Sequence, residues 1–134
     1  MTPPSVPMIV ARLVATLELS LVVGQAGWAS AFLAGESQCR PHHAVGAILT
    51  LVTCLVGALV YIVLRQWVGR VNLVLAVTMA VLAGVQYALG EAAAVAAHIF
   101  LGVLVAMTAT ALTSWTYRHE PTPSPSRQVS TPSA

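Results

Sequence analysis

The chain of 134 residues contains no lysine and no aspartate, and charged residues make up 7% of it. Soluble domains carry about 25% charged residues, so this composition excludes an ordinary hydrated exterior. The positive charge is all arginine, at positions 12, 40, 65, 70, 118 and 127, and the net charge of +2 is too small and too scattered for a nucleic-acid interface. There are two cysteines and no CxxC pair. Cys39 falls in the first loop and Cys54 about three turns into the second apolar run, which puts them ~20 Å apart in a regular helix. A disulfide needs Cα atoms within ~7 Å, so a stapled scaffold is excluded. The first apolar run is preceded by prolines and a single arginine, Arg12, rather than by a charged leader, so it is expected to be retained and not cleaved as a signal peptide.

What the chain has in quantity is apolar length. Four runs, 13–34, 43–64, 71–89 and 92–117, hold one carboxylate, Glu18, and no arginine. A helix needs ~20 mostly apolar residues to cross the hydrocarbon core, and backbone polar groups in lipid must be satisfied within the segment. The expected fold class is therefore all-α, a four-helix transmembrane bundle in up-down-up-down order, because connections this short force neighbouring helices to be antiparallel. Residues 1–12 form a short N-terminus. Residues 118–134, rich in proline and serine, are expected to be a disordered tail.

The arginines set an orientation. Arg12, Arg65, Arg70, Arg118 and Arg127 lie on one side of the expected bundle and only Arg40 on the other. The positive-inside rule places both termini and the middle loop in the cytoplasm of a multi-pass protein of the cell membrane. Trp67, Trp115 and Tyr117 fall at that same boundary, where aromatic belts form.

Three sets of residues bear on function. His43 and His98 each sit near the outer end of a returning helix, seven residues after a Gly-Glu pair (Gly35-Glu36 and Gly90-Glu91), so the two hairpins read as a faint parallel repeat. Small and hydroxyl residues follow each histidine at helical spacing, Gly46, Thr50, Cys54, Gly57 and Tyr61 in one case and Gly102, Ala106, Ala109, Thr113 and Thr116 in the other. Such faces let helices approach closely, so both imidazoles are expected to point into the bundle. Two facing imidazoles suit the iron of a b-type haem, and Gly46 and Gly102 would leave room for its flat ring. The alternatives are interfacial histidines that only bond loops or water, and another metal drawing on Glu36, Glu91 and Cys39, whose spacing matches no zinc motif. Glu18, with Gln25 on the same face, is a candidate proton or ion site, or else polar glue reaching Arg12 or the interface. Ser20, Gly24, Gly27 and Ala31 form a small-residue stripe for packing inside the bundle or against a partner.

Gln25 with Leu33-Ala34-Gly35, His43 with Gly46, Gln86 with Leu89-Gly90, and His98 with Gly102 form a layout that resembles a family of uncharacterised small four-helix membrane proteins of bacteria, especially high-GC Gram-positive species. The likeness covers most of the chain. The layout is also distantly similar to one four-helix half of haem A synthase, in which bundle histidines bind haem. This implies haem ligation by His43 and His98 only. The paired loop cysteines and the second half are missing, so that enzyme's catalysis is not implied. A glutamate in the first of four helices resembles the small multidrug transporters as well, without the aromatic and glycine pattern of their third helix. The functional expectations are a non-enzymatic haem protein serving electron transfer, haem handling or a respiratory complex; a cofactor-free accessory subunit of a membrane complex or homo-oligomer; and a proton-coupled cation transporter using Glu18.

Overall fold

The structure, a computed structural model, describes residues 5–119. Of the tail expected at 118–134, Arg118 ends the last helix and residues 120–134 lie outside the described residues. Four helices make up the described chain: α1 (Val6–Leu33), α2 (Cys39–Val63), α3 (Arg65–Glu91) and α4 (Val95–Arg118). With 28, 25, 27 and 24 residues, they are about 36–42 Å long at 1.5 Å per residue. That exceeds the ~30 Å hydrocarbon core, and each is apolar enough to span it. The fold is an all-α bundle and the protein a multi-pass membrane protein.

The helices outrun the apolar segments that announce them. α1 begins at Val6, with Pro7 in its first turn, where the missing N–H has no helical partner to lose. α2 begins at Cys39, so this residue opens a helix and is buried, where the sequence suggested a loop. The expected middle loop, 65–70, is helical, and Leu64 alone separates α2 from α3. The break falls instead at Gly69, whose φ of 77° and ψ of 162° leave helical space. The His119 ring lies where a Cβ on Gly69 would sit, and its Nε2 donates to the Trp67 carbonyl at 3.1 Å.

The helices stand at the corners of a square, each packed against its chain neighbours, with α4 closing on α1. The α1 and α3 backbones also come close across one diagonal, whereas α2 and α4 meet across the other only through side chains, Tyr61 with Thr116 and His43 with His98. Two core layers fill the interior. Met8, Ala11, Ala15, Tyr61, Val68, Ala76 and Leu112 form the layer nearer the helix ends at Val6 and Arg118. Val22, Cys54, Ala58, Met79, Ala80, Ala83, Val105 and Ala109 form the layer above it. Small side chains dominate both, as in membrane bundles where close backbone approach replaces hydrophobic burial as the source of packing energy. The outward surface is no less apolar: Leu13, Leu17, Val45, Leu49, Val52, Leu55, Phe100 and Val103 are all exposed. Helices apolar on every face belong in lipid.

Candidate functional site

At the end opposite Val6 and Arg118 the core gives way to a cavity of about 430 Å³. Val22, Gln25 and Ala29 of α1, His43, Ala47 and Thr50 of α2, Ala83, Gln86 and Tyr87 of α3, and His98, Gly102 and Val105 of α4 line it. All four helices contribute, α1 and α4 most heavily. The two histidines approach each other from α2 and α4. Their ring centres are 6.2 Å apart and their planes are near perpendicular, at 86°.

His98 is held firmly. Its Nδ1 lies 3.0 Å from the Gln86 carbonyl oxygen, and Gln86 Nε2 donates to the His98 carbonyl at 2.9 Å. A carbonyl oxygen can only accept, so the His98 proton is on Nδ1 and the Nε2 lone pair is free. His43 Nδ1 makes no hydrogen bond of good geometry, the Gln25 backbone being the group that faces it, and Gln25 Oε1 and Gln86 Oε1 are buried without a partner. Buried polar atoms are nearly always satisfied, so these atoms make the cavity the candidate site.

The glycines after each histidine do not hold open the space expected of them. A Cβ on Gly46 would collide with the Gln25 side-chain amide, and one on Gly102 would come within 3.2 Å of Gln86 Nε2. Each glycine seats the glutamine of the preceding helix, so the clearance is already used, and the open volume lies between the histidines. The pseudo-repeat is thus partly visible in space: Gln25, His43 and Gly46 in one hairpin correspond to Gln86, His98 and Gly102 in the other. Their turns differ, since Gly35 supplies a φ of 102° in the first loop and Ala93 a φ of 53° in the second.

The remaining candidates lie elsewhere. His42 is outside the cavity, stacked on Trp28 with ring centres 5.0 Å apart and bonded to the Gln38 carbonyl. Cys39 donates to Glu36 Oε2 at 3.7 Å. Among the described residues no three of His, Cys, Asp and Glu converge as a metal site would require. The Ser20, Gly24, Gly27 stripe faces outward, and a Cβ on Gly24 or Gly27 would meet nothing within 4 Å, so it does not pack inside the bundle.

Glu18 is separate again. It points into the lower core, 1% exposed, with neither carboxyl oxygen bonded. Its Oε1 occupies the place a Cβ on Gly57 would take. The alternative that it meets Arg12 fails, because Arg12 bonds the Tyr117 carbonyl at 3.3 Å and stacks over the Tyr117 ring at 5.3 Å. Beside it runs a buried polar chain. Tyr61 Oη lies 3.0 Å from the Ala11 carbonyl and 2.7 Å from Thr116 Oγ1, and Thr116 Oγ1 lies 3.3 Å from Asn72 Oδ1. Two hydroxyl protons therefore serve three contacts. Sequence reasoning missed Asn72; a buried amide at the second position of an apolar run was the available signal. Comparison with protein-family models, with curated proteins and with solved structures finds no match to this chain.

Proposed function

We propose that this membrane protein holds one b-type haem between His43 and His98 and carries single electrons, in the cell membrane with both termini cytoplasmic. The observation that supports the reading is the 6.2 Å spacing of the two imidazoles, which extend from the diagonally placed helices α2 and α4. Two ring nitrogens each ~2.0 Å from one metal ion put their ring centres about 6 Å apart. Two protein donors suffice only when the metal brings its other ligands, as a porphyrin does. The free Nε2 of His98 and the carbonyl behind its Nδ1 form the usual pairing of a ligating histidine with a second acceptor. A cavity of about 430 Å³, apolar apart from a few inward polar groups, falls within the range of cofactor sites. Haem supplies the one-electron iron couple. His43 and His98 would hold the haem through their ring nitrogens, and the apolar walls of the cavity would keep water away.

The test is purification in mild detergent from haem-replete cells. The expected sample shows a Soret band that His98→Ala shifts or removes. A colourless sample that takes up no haem on titration overturns the reading.

One observation favours a second role, as an accessory subunit of a membrane complex. Gly24 and Gly27 present bare backbone on the lipid-facing side of α1, which suits close packing by another helix. On that reading Gly24→Leu abolishes co-purification of a partner chain while His43→Ala and His98→Ala leave it unchanged.

A further inference from the structure

We propose that Glu18 is a proton-binding site, a carboxyl that takes up and releases one proton inside the bundle at the face formed by Cys54, Gly57 and Tyr61. This rests on observations separate from the histidine pair. Glu18 is the only carboxylate in the four apolar runs, it is 1% exposed, and both of its oxygens lack a partner. An ionised carboxylate is not left unpaired in an apolar interior; it is neutralised by a proton or by a counter-charge.

The surroundings offer no counter-charge. On its own helix, Arg12 is a cation turned toward Tyr117, and it makes no ion pair with Glu18, whose two oxygens are both unbonded. α2 contributes Cys54 and Tyr61, one turn to either side of Gly57, and neither is cationic. At this end α3 and α4 bury Asn72 and Thr116, which do not titrate, and the arginines of those two helices lie exposed at the helix ends. The proton is therefore the ligand the site can take.

Glycine at 57 leaves the space in which the carboxyl sits. Tyr61, one turn further along α2, belongs to a buried polar chain with Thr116 and Asn72 that runs toward the helix ends at Val6 and Arg118 without bonding Glu18. On release the carboxyl O–H bond breaks, the proton leaves to water and the carboxylate remains as the less stable form in this apolar surrounding, so the protonated carboxyl is the resting form.

Infrared difference spectra of the full chain in lipid, recorded as the pH is stepped from mildly acidic to alkaline, test this. The expected result is a carboxylic-acid C=O band that shifts in heavy water, disappears with rising pH, and is missing in Glu18→Gln. The His43→Ala, His98→Ala double variant keeps the band, so the outcome is independent of haem. A band that persists at every pH, or no acid band at any pH, overturns the proposal. Should Glu18→Gln not fold, Glu18→Asp carries the test. A band that moves in frequency and still titrates supports Glu18, and an unmoved titrating band assigns it to another carboxyl and overturns the site.

Discussion

Gln86 and His98 hold each other twice, through the Gln86 carbonyl on His98 Nδ1 at 3.0 Å and through Gln86 Nε2 on the His98 carbonyl at 2.9 Å. The first contact is made by backbone and the second by the side chain. Gln86→Ala therefore removes only the second, leaving the His98 tautomer set but its helix less firmly seated. Loss of such outer partners commonly costs 10–100-fold in affinity. We expect haem to bind Gln86→Ala about 10-fold more weakly, measured by haem titration, with ligation otherwise retained.

Gly57 and Glu18 form a small–large pair. A methyl at position 57 falls on the Glu18 carboxyl, and overpacking of this kind costs about 1–3 kcal/mol. Gly57→Ala is expected to lower the unfolding midpoint in detergent, and adding Glu18→Ala is expected to restore most of the loss. Additive losses would show that the two side chains do not meet.

The hydroxyl of Tyr61 ties three helices together by reaching the Ala11 carbonyl and Thr116. Its ring is fully buried, so Tyr61→Phe keeps the packing and removes the bonds. A buried hydrogen bond contributes about 0.5–1.5 kcal/mol. The variant should stay folded and unfold correspondingly earlier, as read by thermal denaturation followed by circular dichroism.

Gly24 and Gly27 face away from the bundle with open space beyond. Gly24→Leu is expected to leave monomer stability within about 0.5 kcal/mol, as surface changes usually do. If the stripe is an interface, the same variant shifts the elution volume or strips a partner from the purified sample.

The helix count and order were legible because each span is an apolar run long enough for lipid, and no other structure satisfies the backbone there. The helix ends were not. Cys39 and residues 65–68 extend helices beyond the apolar boundary, since hydropathy marks lipid contact and not hydrogen bonding. The inward aim of His43 and His98 was readable from the small residues spaced along their helices. The seating of Gln25 on Gly46 and of Gln86 on Gly102 was not, because it depends on which residues of two helices come level. Glu18 stood out as a lone carboxylate, but its lack of partners emerges only when Arg12 is seen turned to Tyr117.

The central claim is that His43 and His98 bind one iron from opposite sides. Electron paramagnetic resonance of the oxidised, haem-loaded protein tests it most directly. Were the two imidazole planes to keep their angle of 86° on holding haem, the iron would give a strongly anisotropic low-spin signal, which either single histidine-to-alanine variant converts to high spin or loses. A high-spin signal from the unaltered protein, or failure to load haem at all, would contradict it.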